Sequence, residues 1–352
     1  MKIAVNSLKN IERLKEHDVI YAFQDEPLQE LLDTNLHCMR AIDIDKVDIN
    51  LTDCNIRARK KASIDDGDLF EFPPIKQNKY AIIVPNYNND QGIYKGKSFL
   101  RNCIESVLNQ TYQNFELIIV DDMSDDGSVE TVKSYMREPK NVGKITLIVN
   151  KRKRYNGGSR NVGIDYALKD VKPDYICFLD SDDWWKHDRV LENINEEIDD
   201  SDMMIIGAEM LYKDGVRYRT YNEWSNYEDF YISDGTKTIW CTAWARVIRA
   251  DKIVYFCEDT LMEDRVWSYK QADNVDFEKV KNLHEICYVW NRTNTNSVTQ
   301  VRNPIWNASA WCHIGHQLQF LSEIKHKEMI PLIEKRMEVC KKELNRNVFT
   351  QY

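Results

Sequence analysis

The sequence predicts an α/β fold: a mainly parallel sheet flanked by helices, with a small N-terminal α/β unit and a C-terminal helical segment. Two observations carry that prediction. Short apolar runs recur after Pro74, at Ala81–Val84, Leu117–Val120, Ile145–Val149, Tyr175–Leu179 and Met203–Ile206. Most gaps between them hold helical patterns, at Phe99–Leu108, Ser128–Met136, Ser159–Leu168 and Arg189–Ile198. Strands apolar on both faces that alternate with helices belong in a sheet covered on both sides.

The flanking segments follow the same rules. Residues 1–72 read as a βαβ-like prelude, with strands at Lys2–Val5 and Val19–Phe23 and helices at Lys9–Glu16 and near Leu28–Leu32. Aspartates, Gly67 and Pro73-Pro74 over 65–74 break regular structure, so 73–78 is expected to be a linker. Residues 79–300 then form the main domain, in two halves at 79–185 and 186–300. Residues 301–352 are expected to be a helical extension. Asn303-Pro304 suits a helix start, and Ile333, Met337, Cys340 and Leu344 recur at helical spacing. Trp306, Trp311, His313 and His316 read as a packed helical face rather than metal ligands.

With 352 residues, 43% hydrophobic and 30% charged, the chain has soluble globular composition and room for two or three structural units. No apolar run approaches the ~18 residues that span a bilayer, so no integral membrane segment is expected. The start, MKIAVNSLKNIERLKEHD, lacks the apolar core of a secretory leader. Nine cysteines without a CxxC pair fit reduced thiols, so a cytoplasmic address is expected, the host cytoplasm if the source is viral. A net charge of -9 argues against a dedicated nucleic-acid coat, although two basic patches stand at Arg57–Lys61 and Lys151–Arg154.

Ligands of such sheets bind beyond the carboxyl ends of the strands, so the strand exits carry the chemistry. The first exit is Pro85-Asn86-Tyr87-Asn88. The second is Asp121-Asp122 followed by Ser124–Ser128, and the third is Asp180-Ser181-Asp182-Asp183-Trp184-Trp185. Carboxylates crowded within four residues repel one another unless a cation lies between them. Mg²⁺ or Mn²⁺ takes oxygen ligands and bridges carboxylates to phosphates. Asn156-Gly157-Gly158-Ser159-Arg160-Asn161 offers glycines before a helix, allowing close approach of an anion. It is neither a P-loop nor GxGxxG. Glu263-Asp264 is placed to supply a general base, and Trp290, Arg292 and Ser297 lie in a polar, aromatic loop.

Together these segments resemble the family 2 glycosyltransferases of GT-A fold. The resemblance rests on VPNYN (84–88), NQTYQNFELIIVDDMSDDGS (109–128), NGGSRNVGI (156–164), FLDSDD (178–183), WARVIR (244–249), MED (262–264) and NRTNTNSVT (291–299). It implies an inverting enzyme that moves a sugar from a nucleotide-sugar, usually UDP-linked, to an acceptor hydroxyl, with 79–185 as its nucleotide half and 186–300 as its acceptor half. Pro85, Tyr87, Asp121, Asp122, Arg160, Asn161, Asp180, Ser181, Arg292 and Ser297 would then bind the donor. Asp182 and Asp180 would hold Mn²⁺ or Mg²⁺, and Asp264, with Glu263 beside it, would be catalytic. Asp183, Trp184 and Trp244 would face the acceptor.

Three departures shape the expectation. Asn88–Phe99 exceeds the usual loop, which points to a remodelled acceptor side. Ser159 stands where alanine is usual. No Gln-x-x-Arg-Trp follows Asp264, which favours one sugar per encounter over processive synthesis. A glycan or lipid-linked sugar is the expected acceptor. Two alternatives stay open: a phage-type enzyme glycosylating hydroxymethylated DNA bases, and a non-catalytic nucleotide-sugar binder. A nucleotidyltransferase lacks its glycine- and lysine-containing loop here.

Overall fold

Strand pairing in a computed structural model of the chain follows where the apolar runs fall. It describes residues 2–5, 19–22, 37–40, 49–51, 76–152, 154–220, 242–260, 263–295, 304–327, 330–331, 333–334, 337–338 and 341. The chain divides into two units, Met1–Lys76 and Gln77–Tyr352. In the first, β1 (Lys2–Val5), β2 (Val19–Ala22), β3 (His37–Arg40) and β4 (Ile49–Leu51) form a parallel sheet in the order β3-β2-β1-β4. The last two strands escape the sequence reading because HCMR and INL are too short and polar to show a period. The helices expected at Lys9–Glu16 and Leu28–Leu32 lie outside the described residues.

The second unit is built on one large sheet. Its strands are β5 (Tyr80–Asn86), β8 (Phe115–Asp121), β9 (Ile145–Val149), β10 (Tyr175–Phe178), β11 (Trp184–Trp185), β12 (Met203–Tyr212), β13 (Gly215–Thr220), β14 (Arg246–Arg249) and β15 (Val280–Asn291). Their order is β11-β15-β12-β14-β10-β5-β8-β9, with β13 on β12. β6 (Ile93–Tyr94) and β7 (Lys97–Ser98) form a separate small hairpin. The β10-β5-β8-β9 half is wholly parallel. Beyond it β14 runs antiparallel to both β10 and β12, so the rest of the sheet is mixed.

Both faces of the sheet are apolar because its central strands are. On β5, Tyr80, Ile82 and Val84 join a core with Leu100, Cys103, Ile104 and Val107 of α1 (Phe99–Leu108). Ala81 and Ile83 face the opposite core with Ile164 of α3 (Tyr155–Tyr166) and Trp267 of α5 (Glu263–Asp273). Between them in sequence, α2 is Ser128–Met136 and α4 is Val190–Glu197. The last helix, α6 (Pro304–Glu323), contributes Ile314 and Phe320 to that second core, as do Ile333 and Met337 further on. Cys340 and Leu344 of the expected helical stripe lie outside the described residues. No helix among the described residues is long and apolar enough to cross a membrane.

Candidate active site

The parallel strands β5, β8 and β10 deliver their polar exits to one edge. Pro85 is buried in β5 opposite Val120 of β8. Two residues on, Tyr87 is 49% exposed. Asp121 is buried at the end of β8, where its carboxylate accepts from Asn86 Nδ2 at 2.8 Å and the Ser124 amide at 2.9 Å. Asp122 accepts from Asn150 Nδ2 at 2.9 Å, the Arg154 amide at 2.8 Å and the Tyr155 amide at 2.8 Å. Asp121 thus ties the ends of β5 and β8 together, and Asp122 satisfies amides at the start of α3 that a helix N-terminus leaves orphaned. Sequence reasoning gave them to the donor, and that architectural work was invisible to it.

Beside them stand two exposed side chains that the sequence reading passed over. Met123 (φ 68°) and Tyr155 (φ 58°) are non-glycine residues held in the left-handed region. Both are large, apolar and substantially exposed, as is Tyr87. Strained backbone of this kind persists where surrounding structure over-determines it. Here Asp121 fixes the amide after Met123 and Asp122 fixes that of Tyr155. All three follow the exits of the parallel strands or open α3.

Helix α3 is seated by glycine. A Cβ on Gly157 would meet the Cys257 carbonyl oxygen at 2.4 Å and Glu263 at 3.2 Å, and one on Gly163 would meet Ile83 at 2.4 Å. Asn161 completes the seat: its amide bonds both the carbonyl oxygen (3.0 Å) and the amide (2.8 Å) of Phe256. The position expected to face the donor therefore grips the 256–258 segment. That docking carries Arg160 to the centre of the site at 1% exposure. One guanidinium nitrogen donates to Asp180 at 2.7 Å; the other donates to Glu263 at 2.7 Å and Asp264 at 3.1 Å. Burial alone would lower the Arg160 pKa, and the three carboxylates more than reverse it, holding the side chain charged.

The DxD segment is equally ordered. Ser181 accepts from Asn89 at 2.7 Å, and Asp182 accepts from Asn294 at 2.7 Å. Burial, then the neighbouring Asp180 charge, pushes the Asp182 carboxyl up to about 6. Asp183 turns inward at 1% exposure, taking bonds from the Tyr288 hydroxyl (2.6 Å) and the Asn291 amide (2.7 Å). Its expected place on the acceptor side gives way to a structural one, fastening the turn to β15. Trp244 is interior too, stacked on Tyr288 with ring centroids 4.2 Å apart. Trp184 is half-buried against Tyr94 at 5.0 Å. Arg292 lies over the Trp290 ring at 4.6 Å, while Ser297 lies outside the described residues.

At the start of α5, Glu263 is buried, and its carboxyl is pushed up to about 8 by burial and the Asp264 charge, against the pull of Arg160. Asp264 is also raised, by burial foremost and by Asp180. Its Oδ2 takes no hydrogen bond among the described residues. Asp180 and Asp264, 84 positions apart, share one guanidinium.

No group of three or more His, Cys, Asp or Glu side chains among the described residues is placed to hold a metal alone. The Asp180/Asp182 pair nonetheless fits a divalent cation that completes its shell with phosphate oxygens, as Mg²⁺ commonly does. Burial first and the Asp180 charge second raise the Asp182 carboxyl, and a bound cation would offset both.

A parallel half, a mixed second half and a cluster of carboxylates around Arg160 match the GT-A class of glycosyltransferase fold. The model of glycosyl transferase family 2 matches residues 81–253. The amylovoran biosynthesis glycosyltransferase AmsB of Erwinia amylovora is 34% identical over 34% of this chain and 36% of its own length. The poly(ribitol-phosphate) β-N-acetylglucosaminyltransferase TarP of Staphylococcus aureus is 34% identical over 37% of this chain and 36% of its own. The chain thus spans little more than a third of either relative. In structure it is similar to S. aureus TarS 1–349 in complex with UDP-GlcNAc, with a TM-score of 0.53, 19% identity and coverage of 68% of this chain and 66% of that one. Residues 81–253 of the chain thus match the glycosyl transferase family 2 domain.

Proposed function

We propose that the protein transfers one sugar per encounter from a UDP-sugar to a hydroxyl of a glycan or lipid-linked sugar, with inversion and with a divalent cation. The observation that carries this reading is the buried Arg160 guanidinium, which holds Asp180 of the DxD segment and Asp264 of α5 at one point. An in-line displacement needs that juxtaposition: a diphosphate-binding group on one side of the anomeric carbon and a base on the other. Asp264 takes the acceptor hydroxyl proton through its uncommitted Oδ2. The new oxygen–C1 bond forms as the C1–O bond to the β-phosphate breaks, and the bonding electrons leave with the diphosphate. A raised carboxyl pKa suits a base working near neutrality. When bound by Asp182 and Asp180, the cation supplies charge neutralisation on the departing diphosphate. Arg160, locked by its carboxylates, fixes the base relative to that cation site. Tyr87, Met123 and Tyr155 enclose the base of the nucleotide.

UDP-N-acetylglucosamine is the first donor to test, since TarS is described with it and TarP is named for that sugar. Mn²⁺-dependent UDP release should be measurable with wild-type protein. Asp264→Asn should bind UDP with unchanged affinity yet lose at least two to three orders of magnitude in transfer, the usual scale for a general base. Near-normal transfer by this variant would remove Asp264 from the mechanism. Absence of UDP release with every UDP-sugar and cation tried would leave only nucleotide-sugar binding.

A further inference from the structure

The long Asn88–Phe99 segment does more than lengthen a loop. Gly92 lets it fold back onto α1: the Phe99 amide donates to the Gly92 carbonyl at 2.8 Å, and a Cβ on Gly92 would strike the Phe99 ring at 2.1 Å. Closed in this way, the β6–β7 hairpin faces the β12–β13 turn across a cavity of about 500 Å³. That volume lies within the roughly 300–1,000 Å³ of small-molecule sites. Tyr94 forms one wall, Tyr212 and Lys213 another, and Thr293, Asn294 and Thr295 a third.

Three features say what the cavity takes. It adjoins the reacting centre, because Asn294 in its wall donates to Asp182 at 2.7 Å. It offers an aromatic wall, because Tyr94 is held by stacking on Trp184. It also presents a cation, in a chain of net charge -9. Lys213 is the one charged side chain among its described lining residues, with no carboxylate there, and the Lys95 ammonium stands 5.4 Å from the Tyr94 ring centroid. Lys97, nearby on the hairpin, is neutralised by Glu105 and adds nothing.

We propose that this cavity is the acceptor subsite and that its acceptor is a glycan bearing an acidic group, phosphate or carboxylate, seated between Lys213 and the Tyr94 hairpin. The assignment rests on the glycosyl-transfer reading for its role, and on the cavity alone for its ligand. Lys213 is exposed, so an ammonium–anion contact there is worth up to about fivefold in affinity.

Two measurements keep the two claims apart. Saturation-transfer NMR with methyl glucoside, methyl glucuronide and glucose 6-phosphate reads the cavity without catalysis, while UDP release reads the donor site. The two charged sugars should bind about two- to fivefold more tightly than methyl glucoside at low salt. The better of them identifies carboxylate or phosphate as the preferred group. Lys213→Ala should erase that preference while leaving acceptor-independent UDP release unchanged. Tyr94→Ala should weaken all three ligands, and Tyr94→Phe should restore them, separating loss of the ring from loss of the hairpin. Equal binding of charged and neutral sugars, or a preference that survives Lys213→Ala, overturns the inference. Charged-sugar binding without any UDP release sinks the catalytic reading and leaves the subsite standing.

Discussion

One guanidinium faces three carboxylates in Arg160, and charge arithmetic decides the protonation of the group. With Asp180, Glu263 and Asp264 all ionised the cluster would carry two uncompensated negative charges in a largely buried site. Glu263, the most buried of the three, therefore keeps its proton to about pH 8. A carboxyl whose pKa is raised by folding binds its proton more tightly in the native state. Its contribution to stability is full below the ordinary glutamate pKa of about 4.3 and is lost as pH rises toward 8. Wild-type melting temperature should fall across that window, and Glu263→Gln, which has no proton to lose, should fall less; parallel curves for the two would remove Glu263 as the proton holder. Arg160→Met should cost ~3–5 kcal/mol in chemical denaturation, because it strands buried charge. Asp182 gives a second pH dependence. Below about pH 6 it is protonated and cannot ligate a cation, so the gain in UDP affinity from Mn²⁺, measured by calorimetry, should be present at pH 7 and largely gone at pH 5.

Helix α3 converts strand geometry into site geometry, and it does so by close approach. Gly157→Ala sets a methyl 2.4 Å from the Cys257 carbonyl oxygen, a backbone atom that cannot swing aside. Overpacking of this kind costs ~1–3 kcal/mol. It should also lower transfer, since the helix that tilts away carries Arg160. Gly315 in α6 is the contrast: a Cβ there meets nothing within 4 Å, so Gly315→Ala should raise stability by ~0.5–1 kcal/mol through helix propensity alone. Differential scanning calorimetry of the two variants checks both signs. The same comparison marks what was legible in the sequence. Gly157-Gly158 announced a close approach, but nothing local says that the neighbour is Cys257, about a hundred positions away. Asp180 and Asp182 were readable because a strand exit is a short-range feature. The inward turn of Asp183 depends on Tyr288 and Asn291, partners set by the tertiary register of β15. Asn89 and Asn294, which clamp the DxD segment from two loops, lie in segments the sequence marks, but nothing local singles out either residue.

At the scale of the whole molecule, the parallel half was the readable half because YAIIV, LIIV and YICF are apolar on both faces and admit few alternatives. The order of the other half was not, since β14 enters between β10 and β12 by a long excursion that no local period encodes. Both hydrophobic cores, the nine-stranded sheet and each described site residue lie within Gln77–Tyr352. The four strands described in Met1–Lys76 pair only with one another. A unit that closes its own sheet and its own cores has what it needs to fold cooperatively. Residues 77–352 produced alone should therefore unfold in a single transition within a few degrees of the corresponding transition in the full chain. They should also keep Mn²⁺-dependent UDP release from the same donor. If transfer to a large acceptor drops while UDP release persists, the first 76 residues serve acceptor capture. If the shortened chain fails to fold, the independence of the Gln77–Tyr352 unit is refuted.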